Sequence, residues 1–105
     1  MRVEYSLYVE DDLDEIAAYI AADNPRRAVT FIREIRAEID RIGQGPMLYQ
    51  LRPEVGEDAR LAVVGRYVIL FWIDGDVVRI EHVVQGNRFL PVLFQWSPRY
   101  KDIRK

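Results

Sequence analysis

Apolar residues alternate with polar ones at the start of the chain and then recur every three to four residues. Along residues 2–9 every second position is apolar, which predicts a half-buried strand with one face formed by Val3, Tyr5, Leu7 and Val9. The longer period that follows predicts an amphipathic helix, with its apolar stripe formed by Leu13, Ile16, Ala17 and Ile20.

A second helix is predicted after residues 23–25. Asn24 is a good N-cap, and Pro25 suits the first helical position, where no N–H is needed. The stripe that follows is about four and a half turns long and ends at Gly43, the expected C′ residue. Its apolar positions are Ala28, Phe31, Ile32, Ile35, Ile39 and Ile42. Because the link is so short, the two helices should form an antiparallel helical hairpin.

The second half of the chain changes to β-branched and aromatic runs. Residues 61–64, 67–73 and 77–84 are three such runs, separated by two glycine-containing turns. Gly65-Arg66 suits a type II′ turn and Asp74-Gly75 a type I′ turn, which predicts a three-stranded antiparallel meander. The expected fold is α+β in the order β-α-α-β-β-β: an N-terminal strand, then a helical hairpin packed on a small antiparallel sheet.

The middle strand, residues 67–73, has no polar face and should be covered on both sides. The helical hairpin can cover one side, because its two apolar stripes need a partner. The other side has two candidate covers. Either the apolar stretch 89–96 and the basic stretch 97–105 fold back over the sheet, or part of this tail is a docking surface for a partner.

Composition describes one small soluble domain spanning residues 1–105. The chain is 50% apolar and 30% charged, which excludes a disordered chain, and its 105 residues are too few for two independent cores. No apolar run is long enough to cross a bilayer, and no signal peptide is present, so a cytoplasmic protein with no membrane partner is expected. With no cysteine and one histidine, no metal and no cofactor is expected.

The net charge of −2 combines an acidic start with a basic end. Residues 1–24 carry −6, residues 25–60 carry +1 and residues 61–105 carry +3. The acidic block lies at the first helix start, where carboxylates meet the positive end of the helix dipole, and this explains the block better than a metal site does. Local structure does not explain the basic, arginine-rich C-terminal third, which suits contact with a protein or a nucleic acid.

Catalytic groups are poorly supported by the sequence. Ser6, Thr30 and Ser97 have no base beside them, and the single glycines build no phosphate-binding loop. His82 alternates with Val78, Ile80 and Val84, so a half-buried sheet histidine is a better interpretation than a general base.

A series of short motifs spans residues 3–88 in a fixed order. The motifs are Asp12-Leu13-Asp14-Glu15-Ile16, Tyr19-Ile20, Asp23-Asn24-Pro25, Gly45-Pro46, Arg60-Leu61, Gly65-Arg66-Tyr67-Val68-Ile69 and Gly86-Asn87-Arg88. The series resembles the ParE branch of the ParE/RelE toxin superfamily of bacterial toxin–antitoxin modules. The resemblance implies a RelE/ParE-like fold and a cognate ParD-like antitoxin with a ribbon–helix–helix domain. It also implies inhibition of DNA gyrase by direct binding.

The RelE branch of the superfamily is the alternative, and it implies a ribosome-dependent mRNA endoribonuclease. That branch uses arginines, lysines and a C-terminal tyrosine, and this chain matches only its arginines, with Arg60 and Arg88. Residues 42–60 contain no lysine, and Phe94 has no hydroxyl for proton transfer. These differences favour the binding inhibitor. A third possibility is a member that binds its antitoxin and has no toxic activity.

The candidate contact residues for antitoxin or target lie in the second half of the chain. They are Arg60, Arg66, Arg88, Phe94, Trp96, Arg99 and Tyr100. We expect an amphipathic segment of the antitoxin to dock in a groove between the sheet and the helices, with acids that meet the arginines.

Overall fold

The computed structural model describes residues 1–88 of the chain. Over this part the chain forms four strands, two α-helices and two short 3-10 turns. In chain order they are β1 (Arg2–Tyr5), α1 (Val9–Ala21), α2 (Pro25–Gln44), η1 (Pro46–Leu48), β2 (Arg60–Val64), β3 (Tyr67–Asp74), β4 (Val77–Gln85) and η2 (Gly86–Arg88). This order confirms the predicted α+β fold.

The four strands form one sheet in the order β1-β4-β3-β2. Strands β2, β3 and β4 form the predicted antiparallel meander. Strand β1 lies beside β4 and runs parallel to it, from Arg2 opposite Val77 to Tyr5 opposite Ile80. The sheet is therefore mixed, and the expectation of a purely antiparallel sheet holds for three of its four strands.

The opening strand is shorter than predicted and ends at Tyr5. The Ser6 N–H donates to the Ile80 carbonyl at 2.8 Å, and the Ser6 hydroxyl accepts from the Tyr8 N–H at 3.1 Å, which turns the chain away from the sheet. Val9 is buried as the first residue of α1, whereas Leu7 is 93% exposed. The alternation misled because Val9 belongs to the helical stripe, four residues before Leu13.

Helix α2 begins as predicted but ends later than expected, at Gln44, whereas α1 begins earlier than expected, at Val9. Asn24 caps α2 by accepting the Arg27 N–H at 3.0 Å, and Pro25 occupies the first turn. Gly43 lies inside the helix and is buried, so its prediction as the C′ residue is wrong. A Cβ at Gly43 would lie 2.6 Å from Val3 Cγ2, so the glycine lets β1 pack closely on α2. Among residues 1–88, no helix is long and apolar enough to cross a membrane.

The main core lies between the helical hairpin and one face of the sheet. Its buried members are Val9, Leu13, Ile16, Phe31, Ile35, Ile39, Ile42, Ala62, Ile69, Phe71, Val78, Ile80 and Val83. These are the apolar stripes of both helices and inward positions of the meander. The prediction that the hairpin covers one side of the sheet is confirmed.

A second, smaller cluster lies on the opposite face of the sheet. Val55 and Ala59 pack there with Leu70 and Trp72 of β3. The loop that carries Val55 is held by a hydrogen bond from the Arg52 N–H to the Ala59 carbonyl at 2.8 Å. The chain before β2 therefore contributes to the second cover, which the sequence analysis did not anticipate. The predicted folding-back of residues 89–105 falls outside the described residues.

Glycines occupy the first central position of both turns in the meander. Gly65 has φ +56° and Gly75 has φ +63°, and no other residue from 1 to 88 has a positive φ. One positive φ at the first central position is the pattern of a type II′ turn. The prediction is confirmed for Gly65-Arg66. The type I′ prediction for Asp74-Gly75 is wrong, because the turn is centred on Gly75-Asp76 and only its first residue has a positive φ.

Candidate binding surface

Arg60 begins β2 and is committed to the loop that precedes it. Its guanidinium donates to the Tyr49 carbonyl and lies 3.7 Å from the Met47 sulfur. Tyr49 in turn packs edge-on against Phe71, with ring centroids 5.6 Å apart. Arg60 therefore ties the loop after α2 to the sheet, a structural role that the sequence analysis did not assign to it.

Arg66 follows the C-terminal end of β2, and η2, which ends at Arg88, begins beside it. Arg66 is exposed in the β2–β3 turn, and its carbonyl accepts the Gly86 N–H at 2.7 Å. Gly86 opens η2, which ends at Arg88. A Cβ at Gly86 would lie 3.3 Å from the Arg66 carbonyl oxygen, so glycine suits this close approach. The structure thus brings the backbone of η2 against the Arg66 turn; we call this region the Arg66 corner.

The remaining candidates from the sequence lie outside the described residues. They are Phe94, Trp96, Arg99 and Tyr100.

A β-bulge in β4 changes which residues share a face of the sheet. Leu70 lies opposite His82 and Phe71 lies opposite Ile80, so Glu81 is an extra residue with no partner on β3. After the bulge, Val83 packs in the main core and Val84 packs against the second cluster. The predicted alternation of His82 with Val78, Ile80 and Val84 is therefore wrong, although His82 is half-buried as expected.

His82 and Asp12 join the first turn of α1 to the outer edge of β4. The His82 Nδ1–H donates to Asp12 Oδ2 at 2.7 Å, and the same oxygen accepts the Val83 N–H at 2.9 Å. Tyr8 stacks on the imidazole, with centroids 4.6 Å apart. Asp12 is thus not only one of several carboxylates at the start of α1, as its sequence position suggests, because it also bonds to two residues of β4. The one feature of the sequence that pointed to this contact is that the chain's single histidine lies on the last predicted strand.

Glu81 is fully buried at the bulge. Within residues 1–88 neither of its carboxylate oxygens has a hydrogen-bond partner. Burial raises the pKa of Glu81 to about 7, against a smaller opposite effect of His82 and Arg79. The carboxyl is thus partly protonated at neutral pH. The sequence analysis missed Glu81, because a bulge that changes the facing of a strand leaves no periodic signal.

A cleft of about 460 Å³ lies between α1 and β4. Its polar and aromatic lining consists of Asp12, Glu15, Tyr19, Tyr67, His82 and Gln85. This is a groove between a helix and the sheet, where the sequence analysis expects an antitoxin segment, but its charged lining is acidic rather than arginine-rich. No cluster of metal-ligand residues is present in the part of the chain that the structure describes.

The four-stranded sheet covered on one face by a helical hairpin defines a small α+β domain, and this fold is shared with a solved protein of a toxin–antitoxin system. A chain from the chromosomal ParDE TA system of P. aeruginosa superposes with a TM-score of 0.71 at 18% identity, covering 81% of this chain and 95% of that chain. No curated protein matches the chain.

The family description "ParE toxin of type II toxin-antitoxin system, parDE" matches residues 3–88. The chain belongs to this family. The family match spans both helices and the meander, and together with the superposition it confirms the resemblance found in the sequence.

Proposed function

We propose that this ParE toxin inhibits DNA gyrase by direct binding and is neutralised by a ParD-like ribbon–helix–helix antitoxin. The family supports a toxin with an antitoxin partner. The backbone placement of the two arginines of the ribonuclease pattern supports binding over RNA cleavage, because Arg60 opens β2 while the turn η2, which ends at Arg88, begins beside the other end of that strand.

The separation follows from strand geometry. Arg60 opens β2, and the turn that carries Arg66 follows the last strand residue, Val64, so four strand steps at about 3.3 Å each separate the two ends by roughly 13 Å. Arg88 ends η2, which begins against the Arg66 turn rather than near Arg60. Phosphate-stabilising cations of a nuclease must converge on one scissile group. Here Arg60 is also engaged with the Tyr49 carbonyl.

The Arg66 corner is the best candidate for the gyrase contact. Arg66 is exposed and forms no ion pair with any residue from 1 to 88. An unpaired arginine on a turn offers a planar set of donors for carboxylates of a protein partner. Val63, one strand residue from the turn's start, is 69% exposed and adds apolar area beside it.

Induction of the chain in a bacterial host without the antitoxin separates the three candidate functions. We expect growth arrest with an SOS response and intact transcripts, because blocked gyrase leaves DNA damage. Discrete cuts in messenger RNA at the ribosomal A site would instead support the endoribonuclease. Normal growth would support a member that binds only its antitoxin.

Neutralisation is tested in the same host by co-expressing a ribbon–helix–helix protein, if one is encoded beside the toxin gene. We expect growth to recover and the two proteins to purify together. Continued arrest with full antitoxin expression would contradict this part of the proposal.

A further inference from the structure

The outer face of the helical hairpin carries an apolar groove of about 520 Å³ between α1 and α2. Its lining is Ala17, Ala18, Ala21, Pro25, Ala28, Val29, Ile32 and Arg33, which we call the hairpin groove. Val29 is 53% exposed, although it is an apolar residue within α2. None of its lining residues belongs to the sheet or to the Arg66 corner, so the contacts proposed above do not use it.

The walls of the hairpin groove carry opposite charges. On α1, Asp14 lies one turn before Ala18, so it extends the same face of the helix. On α2, Arg33 lies directly in the lining. Both residues are exposed, and neither forms an ion pair within residues 1–88. Among the described residues, therefore, the carboxylate on one wall and the guanidinium on the other have no ion-pair partner.

An ion pair between the two helices shows how far along the hairpin axis Asp14 and Arg33 lie relative to each other. Glu10 of α1 pairs with Arg36 of α2 across the two helices, at 2.9 Å. Asp14 lies one turn after Glu10, and Arg33 lies about one turn before Arg36. Because the helices run antiparallel, both shifts run toward the connection between the helices, so Asp14 and Arg33 lie at about the same position along the hairpin axis. Asp14 and Arg33 therefore face solvent side by side, on opposite walls of the groove.

We propose that the hairpin groove is the interface of a two-fold symmetric homodimer. A two-fold axis parallel to the helices would lay α1 of each copy over α2 of the other. At equal level, Asp14 of one copy would meet Arg33 of its partner, and the same pair would form a second time by symmetry. The alternative two-fold arrangement, with α1 over α1, brings the two acidic helices together and is disfavoured.

The composition of the hairpin groove suits helix packing against a second copy. Alanines at three positions of α1 allow close approach of another helix, and Val29 and Ile32 supply apolar side chains to fill the space between. The surface carries both halves of the required charge pair. An isologous interface needs a self-complementary patch. A wholly acidic or wholly basic partner could form an ion pair with only one of the two walls.

Charge reversal with rescue tests the interface on the full-length toxin without antitoxin. Sedimentation equilibrium would measure the dimer dissociation constant of the wild type, Asp14→Arg, Arg33→Asp and the double variant. Each single reversal places like charges together twice, so we expect the dissociation constant to rise at least about tenfold. The double variant restores both pairs with exchanged signs and should dimerise like the wild type.

Asp76→Arg is the matched control, because it makes the same charge change in an exposed turn of the sheet. It should leave the dissociation constant unchanged, and thermal unfolding of every variant should show that the fold is retained. A wild type that stays monomeric at the highest soluble concentration would overturn the proposal. A dimer that the single reversals leave intact, or that the double variant fails to restore, would overturn it as well.

Discussion

Glu81 places an ionisable carboxyl in a part of the sheet that water does not reach. In the folded state its pKa is about 7, while in the unfolded chain it returns to its ordinary value of 4.5. Between these values the folded protein holds a proton that the unfolded chain has lost. The stability contributed by this group is therefore present at low pH and falls as pH rises through 7.

Glu81→Gln should remove this dependence. The amide stays neutral, so at pH 8 the variant should be about 2–3 kcal/mol more stable than the wild type, while near pH 5 the two should be similar. Denaturant unfolding at both pH values measures the effect, and Asp76→Asn on the exposed turn controls for the loss of one charge. A wild type and a Glu81→Gln variant with equal pH slopes would show that Glu81 is solvated.

Asp12 makes two hydrogen bonds that its acidic neighbours do not make. Asp12→Ala removes the acceptor for the His82 Nδ1–H and for the Val83 N–H, so we expect a loss of about 2–3 kcal/mol. Asp11→Ala is the matched control, because Asp11 lies in the same first turn of α1 and is exposed. Its loss should cost less than about 0.5 kcal/mol, the scale of a helix-dipole effect. Equal destabilisation by the two variants, measured by urea unfolding, would contradict the assigned role of Asp12.

At the scale of elements, the contact between β1 and α2 depends on Gly43. Alanine normally favours a helix over glycine by about 1 kcal/mol, so Gly43→Ala would stabilise an isolated helix. Here the added methyl would lie 2.6 Å from Val3 Cγ2, so we expect a net loss of about 1–3 kcal/mol. Urea unfolding measures this loss.

Val3→Ala identifies the clash as the cause. It removes the Cγ2 atom, so Gly43→Ala should cost less in the Val3→Ala background than in the wild type. A double-mutant cycle without such coupling would show that another contact makes glycine necessary.

Elements whose pattern is local were predictable from the sequence, whereas those fixed by long-range contacts were not. The 3.6-residue stripes and the Asn24-Pro25 cap located both helices, because their signals lie within one segment. The parallel pairing of β1 with β4 joins residues about 75 apart in the chain, and no local pattern specifies it. The bulge at Glu81 and the packing of Val55 under Trp72 escaped prediction for the same reason.

The candidate site was predictable in part. The Gly65-Arg66 turn that carries Arg66 was visible in the sequence and is confirmed, whereas the role of Arg66 as a contact residue stays a prediction. Arg60 was found for the same charge but points into a structural contact with the Tyr49 carbonyl. Whether an arginine bonds to the backbone of a loop depends on the path of that loop, which cannot be predicted from the periodicity of the sequence.

At the scale of the whole molecule, the two proposed contacts use different layers of the fold. The helical hairpin buries its stripes on one face of the sheet and exposes the hairpin groove. The meander presents the Arg66 corner at one end of β2. This division predicts that gyrase binding and self-association respond to different substitutions.

Arg66→Glu and Arg26→Glu test this division with one charge change in two places. Arg26 is exposed near the start of α2, and Arg66 is exposed at the corner. We expect Arg66→Glu to raise the concentration needed to inhibit gyrase at least about tenfold, because a reversed charge opposes the partner's carboxylates. Arg26→Glu should leave inhibition unchanged. Equal loss in both variants would indicate a diffuse charge effect rather than a contact at Arg66.

Titration of gyrase supercoiling with the purified full-length chain tests the central claim most directly. A direct-binding inhibitor should block plasmid supercoiling, or trap cleaved DNA, at concentrations comparable to that of the enzyme, and added antitoxin should reverse the block. Unimpaired supercoiling at a large molar excess of correctly folded protein would contradict the account.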